Sequence, residues 1–173
     1  MLNFRDDAVA FRAFILEHQT RVFNAVLNKV QHVQDAEDIT QEVFIDVYRK
    51  PEAYRGEAAV STWLYRIAMN KCIDHLRKKQ RRRGGTATGE KEPMDFVHPG
   101  IVAENREKAR FLYKAMRQLP DKQQTAWVLS EMENLSYKDI GEVMNLSLSS
   151  VESLLFRARQ NLKKILSGLS KNE

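Results

Sequence analysis

Apolar residues recur at three- and four-residue intervals along most of this chain, the spacing of helices that each bury one stripe. The pattern is sharpest from Leu135 to Leu166, LSYKDIGEVMNLSLSSVESLLFRARQNLKKIL. Ile140, Val143 and Met144 form the apolar side of a short helix, and Ser136 and Asp139 stand before them at capping-box spacing. After a turn at Asn145 to Ser147, the residues Val151, Leu154, Leu155, Ala158, Leu162 and Ile165 trace the stripe of a second helix. Two helices joined this tightly predict a helix-turn-helix. The serines between Ser147 and Ser150 all offer hydroxyls for the second N-cap, and Ser149 with Glu152 has capping-box spacing, so the register of that start is open. Opposite the stripe lie Ser149, Ser150, Ser153, Arg157 and Gln160, together with Phe156. Such a face suits the major groove of duplex DNA, where Arg reads guanine and Ser or Gln adapt to several base edges. It equally fits an ordinary helical hairpin with one solvated side.

Earlier in the chain, Phe11, Phe14, Ile15, Val22, Phe23, Val26, Leu27 and Val30 predict one long helix capped by Asp7, or two helices with a break near His18. Asp35 opens the next, DAEDITQEVFIDVYRK, with Ala36, Ile39, Val43 and Val47 on one stripe and Asp38, Gln41 and Glu42 clustered on another. Pro51 ends it. Ser61 begins STWLYRIAMNKCIDHLRKKQRRR, which directs Leu64, Ile67, Ala68, Cys72 and Leu76 inward. Arg66, Asn70 and Arg77 follow an outer line with Trp63 and Tyr65 nearby, and the helix ends in Lys78, Lys79, Arg81, Arg82 and Arg83. Cations that grip phosphates beside aromatic faces are what single-stranded nucleic-acid binding requires, although each aromatic taken singly also fits a core or rim position. Residues 84–103 lack periodicity and read as a flexible linker, so that each helical half should fold alone. GGTATGEK within it has Glu90 where a phosphate-binding loop needs lysine, and no apolar strand precedes it. Helical spacing resumes over 104–118, and Pro120 starts a further helix leading into the motif.

Charge sharpens this picture. Residues 1–60 hold seven basic and ten acidic side chains, net −3, whereas residues 61–83 hold eight basic and one acidic, net +7. An acidic surface for a protein partner beside a basic one for phosphates follows. The single cysteine, Cys72, excludes an internal disulfide, and the four histidines show no ligand spacing, so neither metal nor cofactor is expected. Nothing pairs a nucleophile with a base or builds a phosphate loop, which leaves no catalytic residue and no small-molecule substrate to assign. No apolar run approaches membrane-spanning length and the N-terminus is acidic where a signal peptide is basic, so a cytoplasmic protein is expected.

These segments carry a family resemblance. DAEDITQEVFIDVYR and STWLYRIAMNKCIDHLR resemble region two of the extracytoplasmic-function sigma factors, and LPDKQQTAWVLSEMENLSYKDIGEVMNLSLSSVESLLFRARQNL resembles their region four. The resemblance implies an all-α protein with a region-two bundle over 1–83, a linker over 84–103 and a region-four domain over 104–173. It implies a transcription initiation factor that directs core RNA polymerase to promoters, not an enzyme on its own. By position, Asp38, Gln41 and Glu42 match the surface that binds core polymerase. Trp63, Arg66, Asn70, Lys71, Arg77, Lys78 and Arg81 match the part that melts and holds the minus-ten element. Ser149, Ser150, Glu152, Ser153, Phe156 and Arg157 match the part that docks on the minus-thirty-five duplex. Many members are basic where this chain has Glu152 and Leu154, so Glu152 either accepts from a cytosine amino group or caps its helix. The family commonly has an anti-sigma partner. The rival reading is a helix-turn-helix regulator that binds duplex DNA without polymerase.

Overall fold

The computed structural model describes residues 7–82, 96 and 98–169, and over them the chain forms seven α-helices and no strand. Helix α1 (Ala8–Val30) starts at Asp7, whose carboxylate accepts from the Ala10 amide at 2.8 Å, and passes His18 without a break. It ends at Gln31, which takes the left-handed conformation at φ 54°. Helix α2 (Val33–Arg49) begins two residues before the predicted start, because the His32 ring accepts from the Asp35 amide and serves as the cap. Pro51 closes it as expected, and α3 (Val60–Arg82) follows one residue earlier than Ser61. The three helices bury Leu27, Ala36, Ile39, Val43, Val47, Leu64, Ala68 and Cys72. Burial pushes the Cys72 thiol up to about 12, which suits a packing residue and not a thiolate nucleophile.

Asp35, displaced from the cap, ties α2 to α3. Its carboxylate accepts from Lys79 Nζ at 2.7 Å, and His75 Nε2 lies 3.2 Å from it. Burial alone would raise its pKa, but the Lys79 hydrogen bond and the neighbouring charges outweigh burial and hold it below the ordinary carboxylate range. A depressed carboxylate stabilises the fold above its unfolded pKa of about 4, and that contribution disappears as pH falls through the lowered value. Asp35→Asn should therefore cost about 1–2 kcal/mol at neutral pH and flatten the acid limb of thermal stability. An acid limb identical in the variant would exclude this tie as its source.

The second group comprises α4 (Arg106–Gln118), α5 (Asp121–Trp127), α6 (Tyr137–Met144) and α7 (Leu148–Leu169). Helix α5 runs directly into a π-helical turn, Val128–Met132, closed by the Glu133 amide on the Val128 carbonyl at 3.1 Å. GGTATGEK lies outside the described residues. The end of the predicted linker does not: Phe96 is buried edge-on against the Tyr113 ring at 4.9 Å, and a turn from His98 to Ile101 precedes a 3-10 turn at Ala103–Asn105. The tether is not the only connection between the groups, because α1 packs on the π-turn, its Lys29 bonds to Asp121 and Gln124 of α5, and α3 packs on α6. Among the described residues no helix is long and apolar enough to cross a membrane.

Candidate nucleic-acid interface

Ser136 caps α6 by accepting from the Asp139 amide at 3.1 Å, as its spacing predicts. Asn145 ends α6 in the left-handed conformation at φ 53°, and the Leu146 amide returns to the Gly141 carbonyl at 2.9 Å. The turn is tight enough that a Cβ on Gly141 would meet the Leu146 carbonyl oxygen at 2.8 Å. Gly141→Ala should thus strain the turn and lower stability by about 1–3 kcal/mol, weakening duplex binding with it, as thermal unfolding and a duplex titration would report. Unchanged values for both would show that the backbone yields easily here.

The second N-cap is Ser147, whose hydroxyl receives the Ser150 amide at 3.3 Å and lies 2.8 Å from the Ser150 hydroxyl. This corrects the Ser149–Glu152 register: Glu152 falls beyond the cap, exposed on the outer face, so the capping alternative for it is withdrawn. Val151, Leu155, Ala158 and Leu162 are buried, while Ser149, Ser153, Phe156, Arg157 and Gln160 face outward as read. Ser150 is half-buried by its part in the cap. Leu148, 55% exposed beside this face, is the first residue of α7 and did not enter the sequence reading.

On α3, steps of four, seven and four residues put Arg66, Asn70, Arg77 and Arg81 on one narrow stripe. All four are exposed, as is Lys78. Trp63 is half-buried at the start of the line, its ring 5.3 Å from that of Tyr54. Tyr65 does not join them. One residue from Leu64 and Arg66 is about 100° round the helix, so Tyr65 is buried and its hydroxyl donates to Glu133 Oε2 at 3.0 Å. Arg66 reaches across to α6, donating through Nε (2.9 Å) and Nη2 to the Glu142 carbonyl. Lys71 turns toward α2, where Asp46 holds it at 2.7 Å and Glu42 at 3.4 Å. Burial works against its charge, but those carboxylates outweigh it and raise its pKa. Within the predicted minus-ten set, Arg66 and Lys71 are therefore engaged by protein groups, and Trp63, Asn70, Arg77, Lys78 and Arg81 form the open part.

Asp38, Gln41 and Glu42 are exposed together on α2, and Ile45 and Tyr48, 47% and 44% exposed, continue the same face. Exposed apolar side chains continuing a charged face have the composition of a protein-binding surface. Sequence reading passed over Ile45 and Tyr48, although their spacing of seven and ten from Asp38 is the available signal.

Residues 14–82 match sigma-70 region 2, and residues 112–162 match sigma-70 region 4. The RNA polymerase sigma-H factor of Pseudomonas aeruginosa is 34% identical over 174 residues, spanning 95% of this chain and 90% of that protein. The ECF RNA polymerase sigma-E factor of Escherichia coli is 30% identical over 165 residues, spanning 90% and 86%. The solved sigma factor RpoE, in complex with the anti-sigma factor NepR from Bartonella quintana, shares the fold with a TM-score of 0.74 at 20% identity, over 91% of this chain and 97% of that one. Both regions occur in the family's order, and relatives align along nearly the whole length: this chain belongs to the sigma-70 family of RNA polymerase sigma factors, in its extracytoplasmic-function branch.

Proposed function

We propose that this chain directs core RNA polymerase to specific promoters and helps open the minus-ten element, acting as a cytoplasmic initiation factor without catalytic chemistry of its own. The observation that carries the reading is that one three-helix unit presents two exposed surfaces of opposite charge. The α2 face of Asp38, Gln41 and Glu42 is acidic, and the α3 line of Trp63, Asn70, Arg77 and Arg81 is basic and aromatic. A protein partner suits the first and an unstacked strand the second. A duplex-only regulator would need neither, since the outer face of α7 with Ser149, Ser153, Phe156 and Arg157 would serve it alone. In this assignment residues 1–83 bind polymerase and the minus-ten element, residues 84–103 connect, and residues 104–173 read the minus-thirty-five duplex. An anti-sigma factor is the expected regulator, as the relative's complex suggests. Affinity capture of purified core polymerase on the immobilised full chain tests the proposal. Stoichiometric capture is expected, and binding of promoter duplex without capture of polymerase would favour the plain regulator.

A further inference from the structure

Helix α4 carries a charge pattern that belongs to none of the surfaces assigned so far. Five of its thirteen residues are basic and one, Glu107, is acidic. Arg106, Arg110, Lys114 and Arg117 recur at steps of four, four and three residues, so their side chains leave the helix within about 80° of one another. Arg106, Arg110 and Lys114 are exposed, and Arg117 is half-buried. The other side of the helix holds Ala109, Tyr113 and Met116 in the core. Cations four residues apart repel each other along a helix, and Arg106 stands at the first residue of α4, where the helix dipole already disfavours positive charge. Glu107 offsets part of this. The remaining repulsion is a cost to the isolated helix that an anionic partner removes.

Two observations select the anion. None of the exposed large apolar side chains among the described residues lies on α4. A protein interface needs such anchors at its centre, whereas a nucleic-acid interface is polar and cationic. The ridge is also continuous with the outer face of α7. Lys163 lies seven residues beyond Phe156 and Lys164 seven beyond Arg157, two turns further along the same side, and both lysines are exposed. Lys164 and Gln118, the last residue of α4, line one groove of about 500 Å³ between the ends of the two helices. A cationic path thus leads from the α7 face proposed for the duplex, across Lys164, onto Lys114 and Arg110. From Arg106 to Arg117 the ridge spans about 16 Å, the axial length of roughly five nucleotides of one strand.

We infer that the ridge of Arg106, Arg110 and Lys114 is a second phosphate-binding surface, which holds the backbone of the duplex beside the stretch that α7 reads. The inference rests on the proposed duplex contact of α7 and extends it by roughly five base pairs. Contacts of this kind fix the position of the protein on the duplex and carry no base sequence.

The test titrates the full chain with a mixed-sequence duplex of about 40 base pairs over a range of salt concentrations, because phosphate contacts do not need the promoter. Arg106→Gln with Lys114→Gln should make the slope of log affinity against log salt shallower by about two, near one per cation. Arg49→Gln with Lys50→Gln removes the same charge from exposed positions at the end of α2 and should leave the slope unchanged. Both variants should keep their helicity, and the ridge variant should melt no lower than the native chain, since it loses like-charge repulsion. Arg157→Ala reports on the α7 face separately. Weaker binding in that variant beside a native slope in the ridge variant would overturn the ridge and leave the duplex reading standing, with an acidic protein surface as the other claimant. An equal change of slope in the ridge and α2 variants would also overturn it, because net charge alone would then be at work. A native chain with no affinity for the duplex at low salt would remove the α7 contact and the ridge with it.

Discussion

Lysine at both Asp38 and Glu42 should weaken binding to core polymerase by roughly two orders of magnitude, because reversed charge juxtaposed with a complementary partner surface costs several kcal/mol. The fold should hardly respond. Glu42 is largely exposed, its ion pair with Lys71 is long, and Asp46 keeps Lys71 at 2.7 Å when Glu42 is lost. Exposed pairs of this kind contribute less than about 1 kcal/mol, so thermal unfolding should shift only slightly. Measured side by side, polymerase affinity and melting temperature separate a docking role from a structural one. An affinity within twofold of the native chain would remove the α2 face from the assignment. Ile45→Ala should weaken docking too, without any change of charge, because it removes exposed apolar area from the same face.

Asn70→Ala should leave polymerase binding and closed docking on duplex promoter nearly intact while reducing opening of the minus-ten element by about tenfold or more. Asn70 is the uncharged polar residue midway along the line from Arg66 to Arg81, and it is exposed. Its amide offers a donor and an acceptor to the edge of a base turned out of the stack, which a cation gripping phosphate cannot match selectively. Unpairing a base costs a few kcal/mol, so one lost base contact bears on opening and not on initial capture. A template already mismatched across the minus-ten element should restore the variant. Permanganate reactivity of unpaired thymines reports this directly, and native opening of the fully paired promoter would take Asn70 out of the mechanism.

Most of the fold was legible because each helix buries its own stripe. Ala36, Ile39, Val43 and Val47 are all buried, and so are Val151, Leu155, Ala158 and Leu162. These are local patterns, and the Asp7 and Ser136 caps are local as well. What could not be read depends on partners distant in sequence. Lys29 looks like the polar flank of an amphipathic helix until Asp121, 92 residues later, closes over it. Tyr65 was read as lying near the outer line, but the helical repeat itself turns it inward, and what the repeat could not supply is the distant acceptor Glu133 that its hydroxyl meets. The cap of α7 was ambiguous for another reason. Ser147, Ser149 and Ser150 are chemically equivalent as caps, and the tight return of Leu146 to Gly141 is what selects Ser147. Helix boundaries slipped where an unexpected group took the cap, as His32 did in place of Asp35.

The measurement that bears most directly on the central claim is run-off transcription by purified core polymerase on a pool of genomic promoter fragments, with and without the intact chain. The account predicts discrete start sites that appear only when the chain is present, that share one sequence spacing between two upstream elements, and that fade with the Asp38→Lys, Glu42→Lys double variant. Start sites unchanged by adding the chain, despite its tight binding to the same fragments as duplex, would contradict it.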